Sequence, residues 1–481
     1  MDRAQLLESF RDIVGEANVV FHPDDLLVYE YDGSVDRGIP SVVVLPGSSD
    51  EVSRVMALAY QEGIPVSARG AGTGLSGGAI AAPGGMQISF TRMNRILEVD
   101  VENRAAVVEP GVVNLDLDTH VRKFGLRYAP DPSSQRACTL GGNIAENAGG
   151  PHCLAYGTTT NHVLGLEVVL EDGTMVNLGS RPDSHSPVRE TPGYDLRGVF
   201  VGSEGTFGVA TKIVVRLLPV PQAVKTFLGA FPDIDSACTA VSSVIAQGIV
   251  PAAMEMMDSV TIRAIQKTMD AGYPNDAGAV LLIELEGLQE EVDEVGNRVE
   301  ACLWDTGAVQ VSVAQEEQER VKLWLGRKSA FGAFGNIAPN MYLVDGVVPR
   351  TKLTQVLAEV GEIGRQYGVT IANVFHAGDG NLHPCILFDE REPGALDRAT
   401  EASGEMLRIC VAAGGTLTGE HGVGLEKKEY MPLVYSGEDM DAMRQVRDAF
   451  APENRLNPGK IFPDGEPYQP PAYRPTPGMS P

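Results

Sequence analysis

The chain is poor in several things, and each shortage excludes a class of function. Its six cysteines, Cys138, Cys153, Cys238, Cys302, Cys385 and Cys410, are dispersed and never form a C-x-x-C pair. That spacing offers no ligand set for an iron–sulfur cluster and no disulfide framework, and it suits a reducing compartment. Basic residues are outnumbered, 38 Lys and Arg against 64 Asp and Glu, for a net charge of −26. Nucleic-acid binding needs clustered cations to neutralise phosphate, and attachment to an anionic lipid surface needs the same, so neither is expected. The long uncharged runs are poor membrane spans: residues 70–91 are broken by Gly and Pro, and residues 236–254 carry Ser, Thr, Gln, Gly and Pro. The opening MDRAQLLESFRDIVGEA has mixed charge and no apolar signal core, so a cytoplasmic location is expected rather than export. Histidine is scarce too: of eight, only His376, His383 and His421 lie beyond His185.

What is present then stands out. The 54 glycines cluster in a chain of 481 residues, long enough for two or three domains, which indicates backbone wrapped closely around a ligand. Residues 1–20 read as a helix and residues 41–45 as a buried strand. Ser48, Ser49, Asp50 and Glu51 offer a capping box for a helix whose apolar face is Val52, Val55, Met56 and Ala59. A second strand, residues 64–68, feeds RGAGTGLSGG at 69–78. Gly72, Gly74 and Gly77 spell G-x-G-x-x-G, but a Rossmann turn must open a helix and GAIAAPGG is a poor one. The reading that remains is a loop whose successive N–H groups cup a pyrophosphate. Further glycine-rich segments at 128–157 and 201–208 point to one extended cofactor.

A composition change at residues 218–222 marks a domain boundary. Beyond it, strands at 225–230, 252–257, 279–286 and 309–314 alternate with helices at 234–247 and 290–305, an α+β arrangement. Residues 369–389, VTIANVFHAGDGNLHPCILFD, read as a hairpin turning at Asp379-Gly380. That register sets His376 opposite His383, close enough for two imidazoles to share a cation, with Glu420-His421 nearby in GGTLTGEHGVG to complete a site.

These motifs resemble a known family. RGAGTGLSGG at 69–78, APDPSSQ at 129–135, GGNIAENAGG at 141–150 and GSEGTFGV at 202–209 match the flavin-linked oxidases of the vanillyl-alcohol oxidase and p-cresol methylhydroxylase superfamily. MEMMD at 254–258, WLGRKSAF at 324–331, NVFHAGDGNLHP at 373–384, GEHGVG at 419–424 and LNPGK at 456–460 bring the chain nearest to the glycolate oxidase (glycolate dehydrogenase) D-subunit family. The resemblance implies an α+β fold: a two-subdomain FAD-binding domain over 1–220, an α+β cap with antiparallel sheet and metal-binding hairpin over 221–415, and a C-terminal helical segment, 416–463, returning to the flavin. A disordered Pro-rich tail is expected over 464–481.

The same resemblance implies where ligands sit. Arg69, Gly70, Ala71, Gly72, Thr73, Gly74, Leu75, Ser76 and Gly77 would hold the pyrophosphate, with Pro46 beside them. Pro130, Asp131, Thr139, Gly141, Gly142, Asn143, Ala145, Asn147 and Gly150, together with Glu204, Gly205 and Val209, would line the isoalloxazine and adenine. Asn457 would approach the flavin ring. No histidine lies in the first glycine loop, so the FAD would be non-covalent. His376, His383 and Glu420 would bind a divalent metal (Zn, Mn or Fe), His421 would be the base, and Arg327 would anchor the substrate carboxylate. Relatives that act on 2-hydroxyglutarate have an Asn at the place of Cys385 and a Lys near Tyr342-Leu343. Glycolate is therefore the expected substrate. D-lactate or D-2-hydroxyglutarate oxidation, or a non-catalytic flavin-binding scaffold, are the alternatives. The implied partners are an iron–sulfur subunit and a second flavoprotein subunit, through which the chain would reach the inner face of a membrane.

Overall fold

The computed structural model describes residues 1–182 and 193–465. From residue 466 onward, the expected Pro-rich tail lies outside the described residues. A leading helix, Arg3–Val14, starts from a capping box made by Asp2 and Gln5. The first sheet then assembles in the order Val19–Val20, Val43–Val44, Met86–Ser89, Val66–Arg69, antiparallel at the first pair and parallel thereafter. Ser49–Glu62 forms as its periodicity requires and buries Val52, Val55, Met56 and Ala59. Its capping box is only half made. Ser48 accepts from Glu51 N, but the Glu51 carboxylate turns outward to accept from Gly47 N at 2.7 Å.

The loop after Val66–Arg69 opens no helix, in agreement with the rejection of a Rossmann turn. A second, antiparallel sheet follows in the order Ile96–Asp100, Ala105–Val108, Val209–Arg216, Val163–Val169, Met175–Gly179. Within GGNIAENAGG the chain makes a short helix, Leu140–Glu146, because the Thr139 hydroxyl caps its start and Asn147, with φ of 54°, ends it in the left-handed region. This helix packs Leu140 and Ile144 into the core beneath the second sheet, and its capping Thr139 meets Gly70 of the first glycine loop.

The cap is built on a nine-stranded antiparallel sheet whose long strands include Ala223–Phe231, Ala279–Gly287, Ala253–Asp258 and Thr370–His376. Both faces are covered, so these strands read as near-continuous apolar runs. Met254, Met256, Leu281 and Ile283 pack under the helices Ile234–Ala246, Gln289–Asp305, Leu353–Tyr367 and Ala395–Ala412. Ala253, Met257, Val280 and Leu282 face the opposite way, toward Ser259–Thr268 and Glu317–Lys328. Glu255, His376 and His383 share this second face, an acid and two histidines set into an apolar layer.

The chain then returns to its first sheet. Leu456 bridges Val66 in parallel, Val66 N donates to Arg455 O, and Asn457 N donates to Val66 O. No helix among the described residues is long and apolar enough to cross a membrane.

Candidate active site

The 369–389 hairpin forms with a different register from the one its Asp-Gly suggested. His376 pairs with Asn381, and Ala372 with Cys385, so the turn is the four residues 377–380. Both Asp379 N and Gly380 N donate to His376 O, and Gly380 carries the positive φ, 77°, that the turn needs. The slip is by two residues, which preserves the face: His383 becomes the diagonal neighbour of His376 rather than its opposite. Their rings meet edge to face with centroids 5.1 Å apart.

The two Nε2 atoms converge on one oxygen. His376 Nε2 lies 3.1 Å and His383 Nε2 3.2 Å from Glu420 Oε1. Behind His376, Nδ1 is 2.7 Å from Glu255 Oε1, while the other Glu255 oxygen accepts from Arg327 Nε at 2.7 Å. Burial works against charge on His376, but Glu255 and Glu420 outweigh it and hold its pKa well above the usual value. Burial also raises Glu420, yet His376 and the hydrogen bonds from His376, His383 and His421 hold it well below the ordinary carboxylate range. Three donor atoms so placed are ready for a cation, which would take the place of the protons now shared among them. Glu255 fixes the His376 tautomer so that Nε2 points inward.

His421 stacks on His383, with centroids 4.9 Å apart and planes within 7°. Its position is fixed through Asp345, whose Oδ2 accepts from Thr418 Oγ1, Gly419 N, His421 N and Lys427 Nζ. Asp345 with His383 and His421 forms an overlapping trio. Asp345 Oδ2 is already committed to those donors and His383 Nδ1 lies 3.8 Å from Asp345 Oδ1, whereas Nε2 of His376 and of His383 lie within 3.2 Å of one Glu420 oxygen, which favours His376, His383 and Glu420 as the ligand set. Among the described residues, Asp345 Oδ1 and the Nδ1 atoms of His383 and of His421 are buried without hydrogen-bond partners.

His383, Glu420 and His421 form one wall of a cavity of about 430 Å³. Opposite them stand Gly70, Gly72, Thr73, Gly74 and Leu75 of the first loop, Thr139, Gly142, Asn143 and Ala145 around the short helix, and Glu204, Gly205 and Asn457. An adjoining recess takes Arg69, Gly141 and Val209. The walls fit a large dinucleotide with many acceptor atoms. Asn143 Nδ2 and Arg69 Nη1 are buried donors with no hydrogen-bond partner among the described residues, and a Cβ on Gly70 would run into the Thr139 hydroxyl.

Other residues expected at the cofactor do not line these walls. Ala71 is exposed and Pro46 is buried ahead of its helix. Ser76 Oγ donates to His421 O, and Gly77 packs on Leu425, so both hold the segment that carries His421 instead. Pro130 O accepts from Asn114 Nδ2, and Gly150 packs on the Asp131 backbone. Asp131 binds His152, and Asn147 accepts from Thr158 and Thr160. Arg327, expected at the substrate carboxylate, is 1% exposed with its guanidinium against Glu255, the partner of His376, and it is not among the residues that line the cavity. Lys328, its neighbour, does line it, along with Phe331, Met341 and Leu343. Cys385 is fully buried under the cap helices and is not on the walls. Glu146, Glu255 and Asp345 carry no site signal of their own in the sequence and Lys328 reads there as part of a solvated helix face with Arg327, although Glu146, Glu255 and Lys328 lie inside the motifs that carry the resemblance.

A second histidine cluster lies where the halves meet. His152 contacts Asp131 through Nδ1 and Glu284 through Nε2, and stacks on Trp324. Glu284 also accepts from Thr226 Oγ1 and Trp324 Nε1, and Glu286 is held by Arg127 and Tyr156.

The comparisons with known proteins agree with this geometry. Residues 220–461 match the family described as FAD linked oxidases, C-terminal domain, and residues 40–179 match an FAD binding domain. The chain belongs to the FAD-linked oxidases. It is 44% identical over 464 residues to the glycolate oxidase subunit GlcD of Escherichia coli strain K12, covering 96% of this chain and 92% of that protein. It is 33% identical to a D-lactate dehydrogenase of Archaeoglobus fulgidus, covering 94% and 99%. Among solved structures, p-cresol methylhydroxylase with substrate bound superposes with a TM-score of 0.80 at 19% identity, over 95% of this chain and 96% of that one, which fixes the fold. This FAD-linked oxidase is thus a flavoprotein oxidoreductase of the p-cresol methylhydroxylase architecture.

Proposed function

We propose that this FAD-linked oxidase oxidises a small 2-hydroxy monocarboxylic acid, glycolate first and D-lactate second, to the 2-oxo acid. The observation that carries the reading is the convergence of His376, His383 and Glu420 on one point, with His421 stacked beside them, at the wall of the cavity the FAD loops enclose. A divalent cation (Zn, Mn or Fe) held by those three residues would lower the pKa of a chelated hydroxyl, and FAD supplies the hydride acceptor. His421 takes the hydroxyl proton at Nε2, the nitrogen 3.6 Å from Glu420 Oε1. Lys328 attracts the carboxylate into the cavity. Phe331, Met341 and Leu343 exclude water and leave no cation on their side for a second carboxylate. Arg327 serves from behind, by fixing Glu255 and through it His376. Both GlcD and the D-lactate dehydrogenase among the relatives carry hydroxy-acid names, which supports the substrate class. GlcD is named as a subunit, and we place the next electron carrier on an iron–sulfur partner, with a second flavoprotein subunit beside it.

The test is anaerobic addition of glycolate, D-lactate or D-2-hydroxyglutarate to metal-replete yellow protein while flavin absorbance is followed. Glycolate is expected to bleach it fastest. No bleaching by any of the three would sink the enzymatic reading, and fastest bleaching by the dicarboxylate would sink the monocarboxylate one.

A further inference from the structure

Glu146 closes the short helix Leu140–Glu146 and lines the cofactor cavity, yet its Oε2 is buried with no hydrogen-bond partner among the described residues. Its carboxyl and that of Glu204 converge on Gly422: a Cβ there would collide with Glu146 Oε2 and lie 2.9 Å from Glu204 Oε1. Gly78 meets the other Glu146 oxygen in the same way, so glycine on both sides makes room for this side chain. Two carboxylates held this near each other away from water do not both keep a negative charge.

The surroundings decide which one is neutral. Burial pushes the Glu204 carboxyl up as well, but it accepts from Val423 N at 2.7 Å and Gly424 N at 2.6 Å, donors that oppose the rise and favour its ionised form. Glu146 has no such donors. The groups that face it are Glu204, Asp32, Lys460 and Lys427. Lys427 is already paired with Asp345, and Lys460 donates to Ile80 O and Asn457 Oδ1. Burial first, then the charges of Glu204 and Asp32, push Glu146 well above the ordinary carboxylate range.

We propose that Glu146 is a neutral carboxylic acid that donates its O–H to an acceptor atom of the FAD in this cavity, held neutral by the ionised Glu204 beside it. The proposal rests on FAD occupying the cavity. An un-ionised acid is the only form in which this side chain offers a donor, and the flavin and its pyrophosphate present mainly acceptors. Glu146 is thus a cofactor-binding residue of a type that sequence motifs do not flag, since an acid beside a pyrophosphate site reads as repulsive.

The experiment compares infrared spectra of the oxidised holoprotein at neutral pH with those of Glu146→Gln and of the protein after reversible FAD release. The absorbance spectrum establishes FAD content separately, so colourless protein would fail the cofactor reading rather than this one. In yellow protein, a carboxylic-acid C=O band is expected that disappears in Glu146→Gln and shifts on FAD release. Absence of the band would overturn the proposal, and so would a band that ignores FAD release, which would place the proton between Glu146 and Glu204. Glu146→Gln, which keeps a neutral donor, is expected to retain FAD affinity within about twofold, and Glu146→Leu to lose roughly tenfold, as for one buried hydrogen bond. Equal losses in the two variants would overturn it.

Discussion

Two clusters in this molecule are built from the same residue types and do different things. In each, histidine meets glutamate in a buried setting. Around His152, every acid has its own partners: Glu284 is taken by Thr226, Trp324 and Arg320, and Glu286 by Arg127 and Tyr156. That cluster is a closed ionic clasp between the FAD-binding half and the cap. Around Glu420, the inward nitrogens and oxygen face only one another, while the outer nitrogen of His376 is held by Glu255 and the backbone N–H of His421 by Asp345. The contrast teaches that a proposed metal site is distinguished less by its residue types than by what is withheld from them.

The largest effect should come from opening the second cluster. His383→Ala is expected to abolish stoichiometric metal, measured by elemental analysis, and to slow hydroxy-acid-dependent flavin reduction about a thousandfold or more, as loss of several kcal/mol of cation stabilisation implies. FAD content should be unchanged. Wild-type rates in metal-free His383→Ala would end the distinction between the clusters.

The converse change is His152→Leu, which leaves the buried Asp131 with only Lys328, 3.7 Å away, and removes one of the partners of Glu284. It should destabilise the protein by roughly 3–5 kcal/mol, read from denaturant unfolding, yet leave metal content intact. His152 is opposed by burial but raised to about 10 by Asp131 and Glu284. A group whose folded pKa exceeds its unfolded value stabilises fully below the unfolded value and loses that contribution as pH rises through the folded one. The gap between wild type and His152→Leu should therefore be complete below about pH 6.5, the unperturbed histidine value, and shrink as pH climbs toward 10. A gap that widens with pH, or metal loss in this variant, would contradict the clasp.

A smaller effect sharpens the comparison. Glu255→Gln keeps the shape behind His376 but removes the charge that orients it and holds Arg327. Metal affinity, titrated against a competing chelator, should fall about 10–100-fold. An unchanged affinity would mean that Glu255 is only a packing partner.

Much of this was legible because local rules and global fold agree. The face of the helix at Ser49–Glu62, the alternating cap strands and the helix-free glycine loop all follow from periodicity and backbone freedom. The hairpin shows the limit. Asp-Gly signalled a turn, but the ladder with Asn340–Leu343 and the cap sheet chose its length, and only the face was readable. Arg327 shows another. A planar cation near a substrate motif reads as an anchor, whereas its partner Glu255 lies 72 positions away on a strand whose pairing no local pattern reveals. Glu146 was hidden by its type, since the sequence does not tell which of two acids carries the proton.

The return of the chain to its first sheet has a mechanical consequence. The cap sheet begins at Ala223, just after one crossing from the FAD-binding half, and the chain crosses back before Leu456 adds to the edge strand Val66–Arg69. Ser67 and Asn457, 390 positions apart, share a hydrogen bond there. A domain fastened at both ends resists swinging about a single hinge. Its travel would be confined to rotation about the line joining the two anchors, so any opening of the cap over the cavity would follow that one axis, without twist or sideways slide.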